Sequence, residues 1–361
     1  MLTGSDRNAR LSLRFDSFRW CGVYFVIVTS PIKLPANQPP QFYRGGAAIA
    51  ALRGADPHAE FGPEDWVAST TTLYGQPENG LTRLPDGRLL RDAVTADPEA
   101  WLGAKHVARF AGSTALLVKL LDAGQRLPVH FHPSDAFARQ HFDSHFGKTE
   151  AWVVVGTSGD NPRVYPGFRE SVAPATVGEW VREQDSGAML GALNSVVVSP
   201  GDTVYIPAGL PHAIGAGVFV VELQQPTDFS LTIEWRDFLA GPEKGHLGIG
   251  FDTALRALDT GARDPETLVK RIPSRQESTM DLLVPGSGAF FRADRLRPDL
   301  PVALDPSFAV FVVLDGAGAL RSEHGGDVAL SRGDTLVVPH AAGQLELTGD
   351  VTVIRCRPPA A

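Results

Sequence analysis

From residue 115 onward the chain alternates short apolar runs with turns rich in Gly, Pro and Asp. ALLVKLLDA (115–123), interrupted by Lys119, is followed by LPVHFH, KTEAWVVV, NSVVVSPGDTVYIPAG and GVFVVELQQ. Beyond residue 280 the pattern resumes with MDLLVP, AFFRADRL, FAVFVVLDGAGALRS, GDVALSRGDTLVVP and DVTVIRC. Val-rich runs of this length, bounded by turn residues, predict β-strands. Helical spacing is confined to a few places. Asp97-Pro98 suits the start of a helix in DPEAWLGAKHVARF. GFDTALRALDT (250–260) puts Phe251, Leu255 and Leu258 on one helical face and predicts a connector. The Gly45-Gly46 turn leads into a strand or a short helix.

The later strands partly repeat the earlier ones. Gly333-Asp334-Thr335-Leu336-Val337-Val338-Pro339 aligns with Gly201-Asp202-Thr203-Val204-Tyr205-Ile206-Pro207, turn and spacing included. At the position of His212 the repeat carries Gln344, and no His-x-His pair precedes it. The chain therefore reads as two jelly-roll β-barrels with a small helical segment, the second barrel having kept its turns and lost its ligands. His324 and His340 read as surface residues. The expected division is an extension (1–30), a first barrel (31–235), a helical connector (236–279) and a second barrel (280–361). In the extension, Arg10, Arg14 and Arg19 precede the apolar run Trp20–Val28, which is far short of the ~18–20 residues that span a bilayer. No small-x-small cleavage site follows it, so an extra strand or an upstream start is the expectation.

Composition narrows the function. Within 361 residues, 37 Gly and 28 Pro suit turn-rich β structure, and the formal net charge is −8. No run of Lys or Arg offers a footprint for nucleic acid, and no membrane association is expected. Cys21 and Cys356 cannot build a disulfide framework, which points to the reducing cytoplasm.

Four side chains carry the candidate chemistry: His130 and His132 in VHFHPSD, Glu150 in GKTEAWVVV, and His212 in GDTVYIPAGLPHAIG. Residues two apart on a strand face the same way, so His130 and His132 converge. Three imidazoles and one carboxylate suit one divalent ion, Zn²⁺ foremost, with Fe, Mn, Co or Ni as alternatives. The spacing resembles the two metal motifs of the cupin superfamily.

Five motifs in order make the resemblance narrower. Glu64-Asp65-Trp66-Val67-Ala68-Ser69 resembles E-x-W-x-x-S, and Val129-His130-Phe131-His132-Pro133-Ser134-Asp135 resembles Q-V-H-P-D-D. Gly147-Lys148-Thr149-Glu150-Ala151-Trp152 resembles G-K-T-E-x-W. The stretch from Ile206 to Gly215 resembles I-P-A-G-x-x-H-A-I-G, and Glu222-Leu223-Gln224-Gln225 resembles E-I-Q-Q. Together they resemble the type I phosphomannose isomerases (mannose-6-phosphate isomerases) over nearly all of residues 31–361. That resemblance implies a metal-dependent aldose–ketose isomerase interconverting mannose 6-phosphate and fructose 6-phosphate, or a related sugar, through an enediol. It is compatible with a monomer.

Glu222 is then the acid/base candidate, and Lys148 a partner for a substrate oxygen. Lys119 and Asp228 are candidates for holding the sugar or its phosphate. Three positions depart from the family. Its metal-bound Gln falls on His130, a polar residue two positions earlier falls on Pro128, and its active-site Arg falls on Thr232. Arg236, four residues further on, is the candidate replacement. These departures keep a non-catalytic or regulatory sugar-binding cupin open as the alternative. A redox-metal oxygenase is a further one.

Overall fold

The computed structural model describes residues 28–56, 60–272 and 277–360, together with the backbone of 19–20 and 23–24. Most of the N-terminal extension, including Cys21, lies outside the described residues. The fold is mainly β, as the run pattern predicts. A six-stranded antiparallel sheet runs Val269–Lys270, Thr203–Ile206, Glu150–Thr157, Val218–Gln224, Leu117–Asp122, Glu64–Val67. Facing it is a five-stranded sheet in the order Leu231–Thr232, His130–Phe131, His212–Ile214, Arg163–Pro166, Val196–Val197.

The apolar runs are nearly unbroken because both faces of the six-stranded sheet are covered. Along the central strands the side chains alternate between two cores. Val153, Val221 and Leu120 point to one core, which also holds Phe308, Val310 and Ile354. Trp152, Val154, Val220 and Leu121 point to the other, together with Val164 and Ile214 of the five-stranded sheet. By the same alternation Lys119, Glu150 and Glu222 lie on the inward face, between the two sheets. A one-residue slip would carry all three into the apolar core, so burial fixes the register.

An eight-stranded sheet follows, and it recruits Ile32–Lys33 from near the N-terminus. Its strand order matches the six-stranded sheet, and register identifies the equivalent positions. Glu222 pairs with Lys119 and Trp152; in the second sheet Arg355 pairs with Asp294 and Phe311. Ala309 accordingly takes the place of Glu150. The repeat thus holds a guanidinium where the first sheet holds a carboxyl, tied to Asp305 at 2.8 Å and flanked by Arg357. Those side chains cannot form a cation site, in agreement with the ligand loss read from Gln344. Cys356 is buried beneath this sheet, and burial pushes its thiol well up.

Helices differ most from expectation. The predicted connector shrinks to one turn, Phe251–Ala254, and a 3-10 turn, Leu255–Ala257. Leu258 is extended because the next residue, Asp259, donates its N–H to Gly209 O at 2.8 Å. The apolar spacing of 251–258 is therefore split between two elements. Several helices were not foreseen, among them Asp135–Phe142, Pro174–Glu183 and Ser186–Ala192. The last two bury Val177, Val181 and Met189 against the outer face of the five-stranded sheet, beside Phe131 and Ala213. Asp97 does cap the Pro98–Leu102 helix, accepting from Ala100 N. Gly45-Gly46 leads into a helix, Ala47–Arg53. No helix among the described residues is long and apolar enough to cross a membrane.

Candidate metal centre and active-site cavity

The five-stranded sheet places His212 directly opposite His130, with Thr232 on the other side of His130. His132 follows two residues on and joins them from the same face. The ring centroids of His130 lie 4.2 Å from those of His212 and 5.1 Å from those of His132; the His132–His212 separation is 4.8 Å. Two glycines permit this convergence. At Gly209, with φ near 86°, an added Cβ would come within 2.9 Å of Ala257 O. At Gly147 it would lie 2.3 Å from Pro133 O, so only glycine lets the Lys148–Glu150 segment lie against the chain beyond His132.

The three rings are oriented alike. Each Nδ1 sits 2.8 Å from a backbone carbonyl: His130 on Pro128, His132 on Phe229, His212 on Leu210. A carbonyl only accepts, so each Nδ1 carries the proton and each Nε2 turns a lone pair inward. Backbone carbonyls hold metal-binding imidazoles in this way. The Nε2 atoms of His132 and His212 are buried and have no hydrogen-bond partner. Glu150 Oε1 lies 2.9 Å from His132 Nε2, and its Oε2 lies 3.8 Å from His212 Nε2. Two acceptors this close, with no proton between them, repel unless a cation lies nearby. Orphaned acceptors converging on one point fit a divalent ion, and the three histidines form a group able to hold one.

Electrostatics favour the metal-binding protonation states. Burial, with the neighbouring positive groups, lowers His132 and His212 to about 3 and holds His130 well below its ordinary value. Burial alone would raise Glu150, but the Lys148 ammonium 3.1 Å away opposes it, and the carboxylate is held well below its ordinary value. Glu222 goes the other way: burial first, then Glu150, push it up to about 8. These shifts set a pH dependence for the metal-free protein. Unfolded imidazoles take protons as pH falls below about 6.5, whereas the folded ones do not, so their contribution to stability is lost as pH drops. Glu222 acts oppositely, but one carboxyl is outnumbered by three imidazoles. The melting temperature of metal-free protein should therefore fall between pH 6.5 and 5, and fall less steeply in His212→Asn. An equal slope in both would refute this account of the shifts.

Beside the histidines lies a cavity of about 690 Å³, lined among others by Lys119, Lys148, Glu222, Asp228, Thr232 and Pro128. Lys119 is buried between two carboxylates, 3.4 Å from Glu64 and 3.7 Å from Glu222. Its charge is therefore matched within the protein, and the pair holds its pKa up despite burial. Glu64 accepts from Tyr43 (2.5 Å), Trp66 Nε1 (2.6 Å) and Gln41 (2.9 Å), which fixes it as an anion. Lys148 sits 3.1 Å from Glu150 and donates to Ser230 Oγ at 3.1 Å. Asp228 accepts from Tyr74 N at 3.0 Å, and the next residue, Phe229, holds His132.

Of the nine site residues expected from the sequence, eight lie at this cavity or in the imidazole cluster beside it. Arg236 is the exception. Its guanidinium donates to Glu183 O and packs on the Trp235 ring, while its backbone N–H is held by Gln184 Oε1, so it is directed away from the cavity. Glu64, Tyr43 and Lys244 line the cavity without having been singled out. Glu64 left a readable trace, standing two residues before Trp66 on a strand and so on the same face.

The antiparallel β architecture is cupin-like, and its inward trio of imidazoles beside a carboxylate forms a group able to hold a metal ion. No protein-family model matches the chain. Individual relatives do. It is 29% identical over 321 residues to a mannose-6-phosphate isomerase of Bacillus subtilis, covering 84% of this chain and 92% of that protein. It is 27% identical over 316 residues to a mannose-6-phosphate isomerase of Streptococcus mutans, covering 86% and 93%. A crystal structure of the mannose 6-phosphate isomerase from Bacillus subtilis shares its fold, with a TM-score of 0.71 at 22% identity over 91% of this chain and 99% of that one. Over most of its length the chain is a homologue of the mannose-6-phosphate isomerases, as its motifs indicate.

Proposed function

We propose that the protein is a metal-dependent aldose–ketose isomerase interconverting mannose 6-phosphate and fructose 6-phosphate, or a closely related sugar pair. One observation carries this reading. Three inward Nε2 lone pairs adjoin a cavity lined by the buried Glu222 carboxyl, whose Oε2 has no hydrogen-bond partner. His130, His132 and His212, with Glu150, would hold the ion, and Zn²⁺ suits that donor set best. When bound, a divalent cation supplies Lewis acidity toward the carbonyl and hydroxyl oxygens of the sugar.

The chain's own groups account for the proton movements. Glu222 Oε2, buried and without a hydrogen-bond partner, takes the proton from C2 of the aldose. The C–H electron pair becomes the C1–C2 double bond of the enediol, O1 gains a proton and O2 then loses one. Glu222 returns its proton to C1, giving the ketose. Lys148, held by Ser230, donates a hydrogen bond to a sugar oxygen. Lys119 stabilises the ionised form of Glu222, and Glu64 in turn anchors Lys119. Burial of these groups keeps bulk water from competing for the transferred proton.

Pro128 and Thr232 in the cavity wall favour a second reading, a sugar-binding cupin without turnover. One experiment separates the two: assay metal-loaded protein for isomerisation of several aldoses and of their 6-phosphates. The proposal expects turnover of a mannose-type sugar that disappears on chelation. Sugar binding with no turnover of any of them would establish the second reading instead.

A further inference from the structure

We infer that Lys244 is the residue that recognises the anionic end of the substrate, a phosphate carried on the carbon farthest from the reacting pair. This rests on the isomerase reading and names the specificity determinant it lacks. Three cations line the cavity, and two are already committed. Lys119 is locked between Glu64 and Glu222, and Lys148 against Glu150. Lys244 lines the same cavity from an exposed position and takes part in no ion pair among the described residues.

Its placement is set by the fold. Lys244 belongs to the short helix Pro242–Gly245, which packs on the strand Leu231–Thr232. An added Cβ at Gly245 would come within 2.6 Å of Thr232 O, so glycine permits that close approach. Thr232 in turn pairs with His130. The strand of Thr232 thus lies one strand spacing, about 4.8 Å, from that of His130, and the helix packs on it and brings Lys244 to the cavity wall. An aldohexose 6-phosphate has its reacting carbons at one end and its dianion at the other, matching a cavity with metal donors at one end and an uncommitted ammonium farther out.

The adjacent acid, Glu243, lines the same cavity but forms no ion pair with Lys244. The Glu243 carboxylate folds back on its own turn, with Oε2 2.8 Å from the site a Cβ would take on Gly241. Thr232 contributes no charge, so the cation arrives from the helix stacked on its strand. A lysine at the rim is a flexible point charge, and it tolerates an unphosphorylated sugar better than a fixed guanidinium would.

The test compares Lys244→Ala and Lys244→Arg with wild type on mannose 6-phosphate and on mannose. A charge-assisted contact is worth about ten- to a hundredfold in affinity. Lys244→Ala should raise KM for the phosphate by that factor, change kcat less than about threefold, and leave kcat/KM for free mannose unaltered; Lys244→Arg should restore most of the loss. Calorimetric binding of mannitol 6-phosphate, which cannot isomerise, gives a readout that needs no turnover, and there the Ala variant should bind at least tenfold more weakly. Wild-type binding without turnover would sink the isomerase reading while still testing Lys244. Equal effects on mannose and its phosphate, or no effect on either ligand, would overturn the assignment.

Discussion

Glu222→Gln should lower kcat for the sugar interconversion by roughly 10²–10⁴-fold, the usual contribution of one positioned acid/base group. The change keeps the side chain's shape and removes only its ability to exchange a proton. Lys119 stays in place because Glu64 still holds it at 3.4 Å. Metal content and melting temperature should therefore stay close to wild type. Glu222 must be ionised to accept the C2 proton, and burial holds it up near 8 in the metal-free protein. In wild type, kcat should accordingly rise with pH as that proton leaves, and this limb should vanish in the Gln variant. Steady-state kinetics across pH 5–9 measure both effects. A variant retaining kcat within threefold would place the proton carrier elsewhere.

The chain's strands could be read in advance because the six-stranded sheet is buried on both faces, which leaves long apolar runs such as ALLVKLL and EAWVVV. The imidazole trio was also legible. Strand alternation brings His130 and His132 to one face, and the Pro207–Gly209 turn delivers His212. What could not be read were partners chosen by register between distant strands. Lys119 breaks an apolar run, but only the pairing of Glu64–Val67 beside Leu117–Asp122 shows that its counter-charge is Glu64.

Arg236 failed for a similar reason. Distance along the chain suggested an inward guanidinium, whereas Gln184 fixes the backbone at Trp235 and Arg236 and turns the side chain outward. The helices of 174–192 did carry signals, in Pro174 at the first turn and the Val177–Val181 spacing. Lys244 carried none, because a four-residue helix has too few residues to show a period.

His212→Ala should abolish stoichiometric metal binding and, with it, isomerase activity. It removes a buried Nε2 and leaves His130, His132 and Glu150, while the site gains space for water. Restoration by the second sheet is excluded by its chemistry. Gln344 stands at the position of His212, Ala309 at that of Glu150, and Arg355 at that of Glu222, bonded to Asp305. Gln344→Ala should accordingly leave metal content and activity at wild-type levels.

The most direct test is a titration of metal-stripped protein with Zn²⁺, following bound metal and isomerase activity together in wild type and His212→Ala. Activity in wild type should rise linearly and break at one equivalent per chain, with the variant showing neither tight metal nor turnover. A break at two equivalents, or full occupancy and activity in His212→Ala, would contradict a single centre built on His130, His132, Glu150 and His212.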